Sequence, residues 1–98
     1  MIDVKIFQIP SGEYTGFQMS GHAGYAEYGQ DIVCAAVSAL VINAINSIDQ
    51  YTEDAFENSV DPDSGSVFFQ ITDRPVSTSS QLLLKSLVLG LNGIQDEY

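Results

Sequence analysis

Positive charge is scarce in this 98-residue chain: three Lys and Arg stand against thirteen Asp and Glu, for a formal charge of -10. Such a field repels phosphate, which excludes direct nucleic-acid binding and docking on anionic membranes, and it attracts a basic partner. Cysteine and histidine occur once each, as Cys34 and His22. One cysteine excludes an internal disulfide. One Cys and one His also fall short of the three or four ligands of a zinc site, and no metal-ligand spacing is present, so neither metal nor cofactor is expected. The glycines of "GHAGYAEYG" come without the lysine of a P-loop or the strand-GxGxxG-helix order of a dinucleotide site. The opening "MIDVKIFQIP" has no basic leader followed by an apolar stretch, so no signal peptide is expected and the cytoplasm is the expected compartment. The most apolar run, Ile32 to Ile42, is broken by Ser38 and followed by Asn43. It falls short of the roughly 18 uninterrupted apolar residues of a membrane span.

What is present is enough to fold. Hydrophobic residues make up 45% of the chain and charged ones 16%, in groups rather than scattered, which is a globular composition. The length fits one domain over residues 1–98, with no room for a second core and no visible linker or repeat. A core of this size is thin, and an unusually apolar helix would gain from burial against a second copy, so a homodimer is expected.

The pattern predicts an α+β fold in the order β-β-α-β-β-α. "IDVKIFQI" alternates Ile2, Val4 and Ile6 with Asp3, Lys5 and Phe7, then meets Pro10-Ser11-Gly12, the pattern of a strand ending in a turn. Tyr14, Phe17 and Met19 mark a second strand that pairs with the first, placing His22 at or just past its end. Residues 23–30 have no sustained period, and Gly24 and Gly29 suit a mobile loop. Asp31 is a good N-cap, and the residues from Ile32 to Ile48 are apolar on nearly every face, which predicts a helix over about 32–50 buried on more than one side. Ala55 to Val60 and Ser66 to Thr72 read as a second hairpin around "DPDSG". Thr78 and Gln81 have capping-box spacing, and Leu82, Leu83, Leu87, Leu91 and Ile94 recur at helical intervals over about 79–96. The two hairpins should form one sheet with both helices packed on it. Glu53, Asp54 and Glu57 read as a solvated polar edge.

The chemistry concentrates in "GHAGYAEYGQDIVCAAVSAL". With Asp31 as cap, Cys34 falls in the first helical turn, where free N–H groups and the helix dipole favour a thiolate. The eleven residues between His22 and Cys34 let the loop double back, so the imidazole could take the thiol proton and later protonate a leaving amine, with helix-start N–H groups as the oxyanion hole. Asp31 and Ser38 lie three before and four after Cys34, on one helical side. Asp31 can orient His22 or simply cap the helix. Ser38 can assist the thiol or simply allow close packing. Tyr25 and Tyr28 can serve as lid aromatics or pack locally. A lone cysteine in an apolar helix also fits the role of a small buried hydrophobe, and residues alone leave both readings open. Two alternatives without such catalysis are an acidic module that docks on a basic protein partner, and a redox-sensing thiol, which would need an intermolecular partner.

"SGHAGYAEYGQDIVCAAVSAL" closely resembles the GHA-loop-GxDIVCAAVSAL signature of the ribosomal-processing cysteine protease family Prp, and the likeness extends over essentially the whole chain. The resemblance implies a cytoplasmic bacterial endopeptidase that removes a short N-terminal extension from a large-subunit ribosomal protein, a basic substrate. It implies His22 and Cys34 as the catalytic dyad, with Asp31 and Ser38 at further motif positions. It also implies a homodimer whose loop 23–30, with Gly24, Tyr25, Tyr28 and Gly29, moves to admit the peptide.

Overall fold

In the computed structural model, the described residues are 2–20, 30–61 and 63–97, without the side chains of Gln30 and Asp31. Six elements follow in the predicted order: β1 (Asp3–Gln8), β2 (Tyr14–Ser20), α1 (Gln30–Tyr51), β3 (Phe56–Val60), β4 (Val67–Ile71) and α2 (Thr78–Glu97). The two hairpins join through an antiparallel β2–β4 pair, so one four-stranded sheet runs β1-β2-β4-β3 and puts β1 and β3 on its edges.

Turn chemistry sets both hairpins. Between β1 and β2, the Gly12 N–H donates to the Ile9 carbonyl at 2.8 Å with Gly12 at φ 93°, a left-handed backbone angle that glycine adopts without a Cβ clash. Between β3 and β4, the Asp61 carboxylate accepts the Asp63 N–H at 2.9 Å, and the Asp61 carbonyl accepts the Gly65 N–H at 2.7 Å. Asp61 thus folds the turn back on itself. The register of β1 on β2 shifts between Phe7 and Gln8, leaving Thr15 as the extra, buried residue of a bulge. Next to it Gly16 is required by crowding, since a Cβ there would lie 2.1 Å from the Phe69 carbonyl oxygen.

One sheet face carries the core. Phe17 and Met19 from β2 meet Val67, Phe69 and Ile71 from β4, with Phe17 and Phe69 stacked at 5.2 Å between centroids. Val37, Val41, Ala44, Ile45 and Ile48 of α1, with Leu84 and Leu87 of α2, close over them. Full burial of such side chains contributes about 1.5–3 kcal/mol each. Leu40 of α1 lies against Gly90 of α2, while Ala44 shares a cleft with Leu83 and Leu87, so the helices run antiparallel.

Several expectations need correction. The first helix starts at Gln30 rather than about 32, because Gln30 and Asp31 tolerate helical backbone and an acidic residue type suits the first turn. Asp31 is therefore inside the first turn, not the cap, and residue 30 belongs to the helix rather than the loop. The same helix packs on both the sheet and α2 but is not covered all round: Ile32 and Ile42 are each 54% exposed. By length and composition Ile32–Tyr51 could cross a bilayer, with mean hydropathy 1.8, yet its Val37–Ile48 side is seated on the sheet. The cap of α2 is Ser77, whose Oγ accepts the Ser80 N–H at 3.1 Å. Gln81, expected to complete a capping box with Thr78, reaches across to β2 instead, accepting the Tyr14 N–H at 3.0 Å and donating to the Tyr14 carbonyl. A long-range amide pair with a strand end satisfies two backbone groups that a local box would leave open. Leu82 points outward and Leu84 takes its place in the core.

Candidate active site

Cys34 is the fifth residue of α1, at the start of its second turn rather than in the first. Its own N–H falls within reach of the i−4 carbonyl in helical geometry, whereas the N–H groups of Gln30, Asp31 and Ile32 have no partner inside the helix. A site built here therefore has its free donors one turn before the sulfur. The thiol is half-buried, set between the buried Val37 on the core side and the exposed Ala35 on the other. At about 100° per residue, Cys34 and Ser38 lie on one flank of α1, beside the Val37–Val41 core line.

Ser38 has an unusual state. Its Oγ is buried and has no hydrogen-bond partner among the described residues. Buried hydroxyls are ordinarily paired, which singles Ser38 out. The helical side chain leans toward the N-terminus, that is, toward Cys34. The cleft between α1 and α2, lined by Leu40, Asn43, Ala44, Leu83, Ser86 and Leu87 and about 50 Å³ in volume, begins about 9 Å further along α1. It is too small for a peptide.

The remaining predicted positions divide cleanly. β2 ends at Ser20, two residues before His22. His22, Gly24, Tyr25, Tyr28 and Gly29 lie outside the described residues, and Asp31 is placed by its backbone alone. The structure therefore brings Cys34 and Ser38 together on one flank and does not report on the imidazole.

At the far end of α1 is a polar network that the sequence reading assigned to solvent. Asp54 accepts hydrogen bonds from the Ser77 hydroxyl at 2.6 Å, the Ser80 hydroxyl at 2.6 Å and the Ser77 N–H at 3.2 Å. Partial desolvation raises the pKa of its carboxyl, but the hydrogen bonds from Ser77 and Ser80 together outweigh it and hold the carboxyl below its ordinary value. Glu13 accepts the Val76 N–H at 2.7 Å. These acids tie the entry of α2 to the end of α1 and to the first hairpin. The available sequence signal was a Ser-rich segment, "STSS", opening a helix downstream of a carboxylate cluster.

Comparison with known proteins places this arrangement. The model of the family "Cysteine protease Prp" matches residues 1–98. The ribosomal processing cysteine protease Prp of Bacillus subtilis (strain 168) is 36% identical over 103 residues, covering 100% of this chain and 90% of that protein. The crystal structure of the Staphylococcus aureus Prp with a substrate peptide superposes with a TM-score of 0.92 at 33% identity, covering 100% of this chain and 92% of the other. A second S. aureus Prp structure, with a covalently linked product peptide, gives a TM-score of 0.87 at 34% identity and the same coverages. With the match running through every element and through the Cys34 helix, the chain belongs to the Prp family of cysteine proteases.

Proposed function

We propose that this protein, as one peptidase domain over residues 1–98, removes a short N-terminal extension from a large-subunit ribosomal protein, with Cys34 as nucleophile and His22 as base. The observation that carries the reading is the half-buried thiol one turn into α1, in a chain whose relatives bind a substrate peptide and hold a product peptide covalently. A covalently held product is the behaviour of a nucleophilic side chain.

The steps follow from the chain's own groups. His22 takes the Sγ proton, and the thiolate adds to the scissile carbonyl to form a tetrahedral intermediate. The N–H groups of Gln30, Asp31 and Ile32 are the free donors near the sulfur, and they stabilise the oxyanion. His22 then protonates the leaving amine, the thioester forms, and water attacks it with His22 again as base. Asp31 orients His22, and Ser38 supports the thiolate from one turn below. The loop 23–30, hinged at Gly24 and Gly29 and carrying Tyr25 and Tyr28, gates the peptide. The charge of -10 speeds encounter with a basic ribosomal client and disfavours nucleic acid. The setting is the cytoplasm, where a lone thiol stays reduced, and the working form is a homodimer.

The test is cleavage of a synthetic peptide carrying such an N-terminal extension, followed by mass spectrometry. Wild type should release the extension at one bond, and His22→Ala should lose at least about a hundredfold in rate, the usual scale of general acid–base catalysis. Equal turnover by His22→Ala removes the imidazole from the mechanism.

A further inference from the structure

The two edges of the sheet differ. β1 has Lys5 in its middle and an irregular register at Phe7/Gln8, two devices that keep other strands off an edge. β3 has neither. It pairs residue for residue with β4, from Phe56↔Ile71 to Val60↔Val67, and among the described residues its other side has no neighbour. Glu57, Asn58, Ser59 and Val60 are all exposed. Alternation decides which main-chain groups are free. The Asp61 N–H donates to the Ser66 carbonyl at 2.9 Å and the Thr72 N–H donates to the Ala55 carbonyl at 2.8 Å. Odd-numbered residues therefore bond to β4, and Phe56, Asn58 and Val60 turn their N–H and C=O groups outward.

This edge leads toward the cysteine. Met19, Val67 and Val60 are in register across the sheet, at the end where β2 gives way to α1, so β3 runs toward the level of Cys34. α2 joins β2 through Gln81 and Tyr14 and packs on α1 at Leu40. At about 100° per residue, Cys34 lies across the core line from Leu40, so its flank of α1 is the one on the β3 side.

We infer that β3 receives, as an added antiparallel strand, the substrate segment that follows the scissile bond, and that this segment alternates apolar with basic residues. This rests on the proposed peptidase reading and gives it a substrate class. An antiparallel segment enters beside Val60, on the Cys34 side, and runs away from the sulfur, so it stays with the basic product after the cut. Its residues opposite Phe56, Asn58 and Val60 exchange main-chain hydrogen bonds with them. Their side chains turn to the helix-facing side, where Val60 is 59% exposed and an apolar group would cover it. The intervening residues turn to the open side, beside Glu57 and Asp61, where Lys or Arg is favoured. A second copy fits less well, because each β3 edge brings these acids and no cation, the cations being Lys5, Arg74 and Lys85.

The probes are two fluorescent peptides of about eight residues, a usual strand length, with equal numbers of Lys and Val. One alternates the two residues and the other places them in blocks. Fluorescence anisotropy should give the alternating peptide a dissociation constant at least about tenfold lower, since only it puts every lysine on one face. N-methylation of its valines should lose that advantage, and N-methylation of its lysines should not. Asn58→Pro removes an outward donor and leaves the β4 pairing intact, and it should weaken binding at least about tenfold, the loss expected when a strand edge is blocked. Glu57→Lys should weaken it at least about threefold at low salt and less at high salt. Circular dichroism checks each variant, and the N-methylated peptides test the edge on wild-type protein alone. Equal binding of the two peptides, valine N-methylation without effect, or undiminished binding to folded Asn58→Pro would overturn the inference. So would a smaller sedimenting species for Asn58→Pro than for wild type, which would assign the edge to a second copy. No cleavage is scored, so the protease reading stands or falls separately.

Discussion

The two ends of α1 differ in how their polar groups are used. At the C-terminal end, Thr52 donates to the Ile48 carbonyl at 2.7 Å, Asp54 takes three hydrogen bonds from Ser77 and Ser80, and Gln81 clamps Tyr14 of β2. At the N-terminal end, the Ser38 hydroxyl is buried without a partner among the described residues and Cys34 is half-buried. One end has its polar groups satisfied within the chain. The other holds Cys34, the proposed nucleophile, and a hydroxyl with no partner among the described residues. The proposed mechanism uses this division, because fixed contacts at one end would position the groups that must stay available at the other.

Substitutions can break that contrast. The largest effect is expected beneath both ends, where Phe69 stacks on Phe17 and tilts against Phe56 at 5.0 Å. Phe69→Ala should cost about 3–5 kcal/mol in urea unfolding and remove both ends together. Asp54→Ala should cost about 1–3 kcal/mol by leaving the Ser77 and Ser80 donors short of an acceptor, with the cleavage rate of the folded fraction unchanged. A fall in that rate as large as the fall in stability would mean that the two ends are coupled. Acid should reveal the same network. A carboxyl whose folded pKa is lowered stabilises the fold above its unfolded value of 3.8, and the contribution is lost as pH falls through the lower folded value. Thermal melts of Asp54→Asn below pH 4 should therefore show a shallower decline than wild type, whereas parallel declines would assign the acid sensitivity elsewhere. The smallest effect on stability is expected at the open end. Ser38→Ala removes a buried hydroxyl with no partner among the described residues and should raise stability by about 1 kcal/mol, while slowing alkylation of Cys34 and peptide cleavage alike.

Local chemistry carried most of the fold into the sequence. Alternation in β1, the Gly12 and Gly65 turns and the long apolar run of α1 gave six elements in the right order, since each depends on neighbours within a few residues. Sheet order was less legible, because the β2–β4 pairing joins segments about fifty residues apart and no local pattern encodes it. Gln81 misled for the same reason. Its spacing from Thr78 fits a local box, and a distant backbone, that of Tyr14, competed successfully for its amide. Asp54 read as solvated because its partners lie 23 and 26 residues further on. The shared flank of Cys34 and Ser38 was legible from helical spacing, but the start of the helix was misplaced, since Asp31 is as acceptable in a first turn as at a cap. The apolar outer face of α1 was visible in composition. Only the structure showed which of its faces the sheet takes.

The central claim is that Cys34 is the nucleophile, and intact-protein mass spectrometry during turnover tests it most directly. Wild-type protein mixed with the extended ribosomal peptide should release the extension while a transient adduct with the mass of the acyl fragment appears on Cys34. Cys34→Ala, with an unchanged circular dichroism spectrum, should form no adduct and cleave at least about a thousandfold more slowly, as loss of a nucleophile does in other peptidases. Cleavage by Cys34→Ala at the wild-type rate would contradict the account.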